Sequence, residues 1–480
     1  MATTSTVELR VSVDVGARRH HVAIGLSSGD VLEEFAITHH PEGFAHFFAR
    51  IETYHQHYPG PVAVAMEGYN GYARPLDQLI QARGYRLYNI NNLKLARFKE
   101  IFPGAAKTDR LDARKGLELF QLREHLPVAK AVLQEVGVVP AANARLKRLT
   151  RRRRRLVNER VRVLNTLQAD LQAVCPGLLD LTREVGNQWF LHLLVSADTL
   201  PQLTRLRKTT LLNIPCVGRA YARIIQDWQP QAQWSPEVEW VGAMIQEDAQ
   251  RVLDLDAQIA ALETTMHQVA QESTIATTVA SLPGFGPICT AELAGEIGTV
   301  TRSQQESSLA LYLGMATLDN SSGTRHSSKP PKQVNVRAKA AMMIAVDRHR
   351  KQIPESQRYY EKKRQQGKSH NQAIRALGRH LCRILYKMLT TERLYEIRSV
   401  EGDTTGHVAA RSLPVGQSRR ATKLARAENT LLQFPAGCSG MTIDLYIARD
   451  GSRRPTNLDG QTNRRTKASE YIDERIGATL

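Results

Sequence analysis

The first 122 residues alternate between two hydrophobic periods in an order that few folds accommodate. Residues 8–15 (ELRVSVDV), 20–27 (HHVAIGLS) and 30–37 (DVLEEFAI) are short and rich in β-branched side chains. The turn formers GARR and SGD separate them, so they predict three successive strands. Residues 41–57 then place apolar side chains at helical spacing behind Pro41, which suits a first turn. A continuous apolar strand at 61–66 ends on Glu67. A helix near 73–83, a strand at 86–90 and helices at 92–102 and 109–122 complete the series.

Three strands, then helix, strand, helix, strand, helix, is the order of an RNase H-like (RuvC-like) α/β domain, expected over residues 1–125. In such a sheet, carboxylates on the first strand and at the end of the fourth lie side by side; Asp14 and Glu67 hold those positions. Asp109 and Asp112, three apart, fall on one helix face. Four anionic oxygen ligands would hold two Mg²⁺ ions ~4 Å apart against a phosphodiester. Each residue has a plainer reading: Asp109 and Asp112 as charges favoured at a helix start, neutralised by Arg110 and Arg114, and Glu67 as a strand-end surface residue.

Charge supports the phosphodiester. Lys plus Arg number 65 against 47 Asp plus Glu, a net charge of +18, and this excess favours nucleic acid over other partners. Five cysteines without a CxxC pair give no zinc spacing, and an odd count suits a reducing cytosol. The N-terminus lacks a signal peptide's pattern, and no apolar run approaches the ~20 residues that span a bilayer. A cytoplasmic protein with no membrane partner is expected.

A helical coiled-coil and linker region is expected over 126–272. Residues 141–172 read as one long helix with Leu146, Leu149, Leu156, Val163 and Leu167 at coiled-coil-like spacing, and 237–272 as a second. The two would pair as an antiparallel stalk or mediate oligomerisation; 178–230 is a helical insertion. Arg151, Arg152, Arg153, Arg154 and Arg155 take up more than half a turn of that helix, so some project at a partner. Phosphates are favoured over a merely solvated face. Residues 273–398 read as a mainly α C-terminal domain, with helices resuming at 335–366 and 369–395 after a polar loop. Its opening turn, LPGFGP, has a helix-hairpin-helix signature that would expose N–H groups to a phosphate at Gly284 and Gly286. A compact corner with no ligand is the alternative. Residues 399–480 read as a basic, largely disordered tail.

The segments VSVDVGARRHHVAIGL, AMEGYNGYARPL and FPGAAKTDRLDARKG resemble the DEDD domain of insertion-sequence transposases of the IS-one-ten family. LPGFGPICTAELAGEIG and ALYLGMATLDNSSGTR resemble that family's C-terminal transposase domain. The resemblance implies a recombinase of donor and target DNA, guided by a structured noncoding (bridge) RNA from the element. It assigns Asp14, Glu67, Asp109 and Asp112 to the Mg²⁺ tetrad and Ser322, with Ser321 as competitor, to a nucleophile that links covalently to DNA. It also implies a homodimer that assembles to a homotetramer, the tetrad of one subunit meeting the serine of another. Composition alone reads Ser321 and Ser322 as a flexible polar loop. The chain departs from the family where GTRHSSKPPKQVN replaces a glycine–lysine-rich stretch, adding Ser327 and Ser328. The alternative is a RuvC-like structure-selective nuclease that uses activated water and no serine.

Overall fold

Seven residues, Leu9–Val15 (β1), run through the middle of a six-stranded sheet. The computed structural model describes residues 7–67, 74–91, 95, 96, 98, 100, 109–123, 132–324, 327–329, 331 and 334–396. On one side β1 pairs antiparallel with β2 (Arg19–Leu26), which pairs antiparallel with β3 (Val31–Thr38). On the other side lie β4 (Val62–Glu67), parallel to β1, and β5 (Arg86–Ile90), parallel to β4. A short β6 (Leu133–Glu135) closes the order β3-β2-β1-β4-β5-β6, antiparallel to β5. This mixed sheet with helices on both faces is compatible with the RNase H-like class. Its sixth strand comes from beyond residue 125, and three residues are too few to show an alternation in sequence.

Alternation along the strands assigns the two faces. Leu9, Val11 and Val13 pack with Phe44, Phe47 and Ile51 of α1 (Pro41–His57) and Leu76 and Ile80 of α2 (Arg74–Ala82). Each such fully buried side chain contributes roughly 1.5–3 kcal/mol. The opposite face carries α3 (Asp109–Gln121): Ala113 and Leu117 sit on Ala23, and Leu119 and Phe120 on Ala63, Ala65 and Tyr88. Arg10, wholly buried on that face, donates to Glu8 at 2.9 Å and to the carbonyls of Phe120 and Gln121 at 3.2 Å. A cation on the last carbonyls of α3 suits the negative end of its dipole and fixes the helix to the sheet.

Two 34-residue helices follow, α4 (Ala141–Val174) and, after four short helices, α9 (Val238–Gln271). Ion pairs Arg145–Glu272, Arg153–Glu263 and Arg160–Asp256 advance along α4 as they recede along α9, so the helices run antiparallel. The short helices are α5 (Pro176–Leu179), α6 (Gln188–Leu194), α7 (Lys208–Asn213) and α8 (Arg219–Trp228). They are not a loose insertion: Phe190, Leu191, Leu211 and Ile225 form one core with Leu167, Leu171, Ile245 and Val252 of the long pair.

The remainder is a second helical body: α10 (Thr274–Ala280), α11 (Pro287–Ile297), α12 (Glu306–Tyr312), α13 (Val336–Gln352), α14 (Pro354–Gln365) and α15 (His370–Thr391). A two-stranded hairpin, β7 (Leu318–Asp319) and β8 (Ser328–Lys329), interrupts it. The single helix expected over 335–366 breaks at Ile353, because Pro354 lacks an N–H and starts the next helix instead. A capping box at Ser369 and Gln372 starts α15. No helix among the described residues is long and apolar enough to cross a membrane. Most of the helix expected at 92–102, and the tail expected at 399–480, lie outside the described residues.

Candidate active site

Strand register places the first two carboxylates together. Val13 on β1 pairs with Met66 on parallel β4, so Asp14 and Glu67, one residue on, share the same strand end. Val62, Val64 and Met66 face α1 and α2, whereas Ala63 and Ala65 face α3, so Glu67 falls on the α3 face. Asp14 does too, being two residues past Ser12, whose Oγ lies directly under Gly116 of α3. Both are half-buried.

The packing of α3 positions the third. From Gly116 over Ser12, the helix runs on until its end reaches Arg10, so it lies antiparallel to β1. The four residues back from Gly116 to Asp112 are ~6 Å of axis, and two residues onward along β1 is ~6.6 Å. Asp112 therefore lies abreast of Asp14, and Asp109, exposed, opens the same helix. Gly116 gives room for this approach, since a Cβ there would crowd Ser12 Oγ and force it to move. Arg110 and Arg114 turn to the carboxylate of Glu34 on β3, at 2.6 and 3.7 Å, rather than neutralising the helix-start aspartates.

Among the described residues no three His, Cys, Asp or Glu side chains converge closely enough to hold an ion. The donor set is nonetheless of the hard, oxygen-only kind that Mg²⁺ takes, and all four residues are at least partly exposed. His21, which sequence reasoning missed, is the direct cross-strand partner of Asp14 and so shares its face. The hairpin register of DVGARRH was the signal that could have found it.

The serines sit on a different kind of element. Ser321 and Ser322 are exposed within the β7–β8 hairpin, which Asn320 and Ser327 close: Asn320 N donates to Ser327 O at 2.8 Å, and Ser327 Oγ donates to Asn320 O at 2.6 Å. At the α10–α11 turn, Gly284 adopts φ 84°, and a Cβ there would strike the backbone of His349 on α13. His349 Nδ1 also bonds the Pro283 carbonyl at 2.8 Å. Close helix packing thus gives that glycine a structural reason. Gly286 precedes the first turn of α11.

The arginine run divides. Arg151 binds Glu296 through two N–H groups at 2.7 and 2.9 Å, Arg154 binds Glu292 at 2.9 Å and Arg153 binds Glu263 at 2.6 Å. Those three hold α4 against α11 and α9; Arg152 and Arg155 are exposed. Burial would raise the Glu296 carboxyl, but hydrogen bonds from Arg151 and Asn335 outweigh it and hold it below the usual carboxylate range. Glu292 goes the other way, pushed up by burial against the pull of Arg154.

A family model described as "Transposase", that of the IS110 DEDD domain, matches residues 11–176. A second, described as "Transposase IS116/IS110/IS902 family", matches residues 276–361. The insertion element IS110 43.6 kDa protein of Streptomyces coelicolor is 26% identical over 331 residues, covering 66% of this chain and 79% of that one. The IS116 44.8 kDa protein of Streptomyces clavuligerus is also 26% identical, with the same shares covered. The IS900 42 kDa protein of Mycobacterium paratuberculosis is 26% identical over 70% of this chain and 84% of its own. The matches fall on the sheet domain with the whole of α4 and on the helical body that carries the hairpin, and the chain belongs to the IS110 family of insertion-element transposases.

Proposed function

We propose that this transposase breaks and rejoins DNA through a covalent serine–DNA link, with Asp14, Glu67, Asp109 and Asp112 holding Mg²⁺ and Ser322 as nucleophile. The observation that carries the reading is the shared strand end of Asp14 and Glu67 under the start of α3. When bound, the ions would stabilise charge on the scissile phosphate. Ser322 Oγ attacks the phosphorus, and the displaced deoxyribose oxygen leaves with a proton. The phosphoserine diester keeps the bond energy, so a second deoxyribose hydroxyl reverses the step and returns the proton to the serine. The exposed hairpin suits presentation of that serine to a tetrad on another subunit, within a homodimer that assembles to a homotetramer. A structured noncoding RNA of the element supplies sequence recognition by base pairing, leaving the protein to read backbone and shape. The exposed Arg152 and Arg155, and the turn at Gly284 and Gly286, are candidate phosphate contacts.

End-labelled DNA incubated with protein and the transcribed flanking RNA, then denatured, tests the chemistry. Ser322→Ala should lose both the denaturant-resistant adduct and strand joining, whereas Ser321→Ala should keep them. Cutting that persists without an adduct would instead identify a water-using RuvC-like nuclease. Asp14→Asn should lower strand cleavage by on the order of 10²–10³-fold, as expected for loss of one charge-stabilising group.

A further inference from the structure

We propose that a cleft of about 300 Å³ between α2, α4, α11 and α13 seats a backbone phosphate of a single nucleic-acid strand, held by Arg74, Lys147, Arg148, Arg155, Arg302 and Arg337. The inference deepens the transposase reading by locating a strand on the protein, and it does not depend on the tetrad or on Ser322. One carboxylate lines the cleft, Glu296, and Arg151 and Asn335 already engage it. Arg74 has its own partner in the buried Asp77, and Arg302 donates to Tyr312 Oη at 2.8 Å. Among the described residues, Lys147, Arg148, Arg155 and Arg337 have no carboxylate within ion-pair distance. Burial, and then the charge of Arg302, press the half-buried Lys147 ammonium down to about 8. Six cations gathered on one lightly compensated wall repel one another, and an anion among them would relieve that cost.

The shape narrows the anion. A second cleft of about 390 Å³ shares Arg74, Ala144 and Arg148 with the first, so the basic wall continues as a groove past Arg145 and Thr265. A free ion would need only one pocket; a strand needs a track with repeated cations. The groove is built by α2 of the sheet domain, α4 of the long pair and α11 and α13 of the helical body, so a strand lying in it ties all three together.

The test is the salt dependence of binding of fluorescent single-stranded DNA and single-stranded RNA of one sequence, in EDTA so that no cleavage intervenes. With Arg148→Gln and Arg337→Gln combined, the slope of log K against log salt should flatten by ~1.4, at ~0.7 per lost phosphate contact on a single strand. Arg219→Gln with Arg223→Gln, two exposed arginines of α8, serves as the charge control and should leave the slope unchanged. Flattening on either single strand supports the groove, and the strand with the larger change names its occupant. An unchanged slope, an equal change in the control, or a change confined to duplex DNA overturns it. If the double variant unfolds, acylation of lysines in the unaltered protein decides. Lys147 should be modified in the free protein and shielded by the bound strand; equal modification in both states overturns the proposal.

Discussion

The end of the sheet and the β7–β8 hairpin each carry residues assigned to the chemistry, yet they are built in opposite ways. Asp14 and Glu67 extend central strands whose preceding side chains, Val13 and Met66, are wholly buried. Main-chain ladders on both sides of β1 fix their direction. Ser321 and Ser322 lie in a hairpin whose strands are two residues long and exposed throughout. Rigid, buried strands are where carboxylates can be kept close despite repulsion. A short exposed hairpin opens locally at little cost, and is the element that can meet a second molecule. The difference assigns preorganisation to the sheet and reach to the hairpin.

The contact of α3 with β1 is the largest lever on the preorganised half. Gly116→Val should drive the helix off Ser12 and cost about 2–3 kcal/mol, the upper range for overpacking. Because Asp109 and Asp112 ride on that helix, the Mg²⁺ concentration needed for half-maximal cleavage should rise as well. Loss of stability with an unchanged Mg²⁺ requirement would show that α3 does not position the ligands.

A smaller effect comes from pH. His20, buried on the α1 face and paired across the sheet with Val15, holds its ring 2.8 Å from His39 and stacks on Phe44. Burial, then the charge of His39, lower its pKa from 6.5 to about 4. The unfolded chain takes up the proton near 6.5 while the folded chain resists until about 4. Stability therefore falls as pH drops through that window. Denaturation curves across pH 4–6.5 should show this slope, and His20→Phe should flatten it. An unchanged slope in the variant would move the effect elsewhere.

Much of the sheet domain was legible because strands bury alternate residues and so print their period. Asp14 and Glu67 stood out as charges ending apolar runs. The arginine run was harder. The partners of Arg151 and Arg154, Glu296 and Glu292, lie well over a hundred residues away, and nothing local shows that they face α4. Gly284 fits an anion-binding turn equally well in sequence, and only the passage of α13 reveals its packing role. The basic cleft was invisible for the same reason: its wall is assembled from four separate segments, of which only the arginine run stands out alone.

The smallest expected change in stability tests the other half of the comparison. Ser322 is exposed, and its neighbours in the hairpin bury almost nothing, so Ser322→Ala should alter folding stability by less than about 0.5 kcal/mol. The same substitution should abolish the covalent adduct, so the ratio of functional to structural effect should be greater there than anywhere on the sheet. Equal thermal midpoints for the variant and the unaltered chain, with the adduct lost, would place the serine on an element kept for its reach. A midpoint several degrees lower would mean that the hairpin is packed into the fold after all, and the contrast with the sheet end would fail.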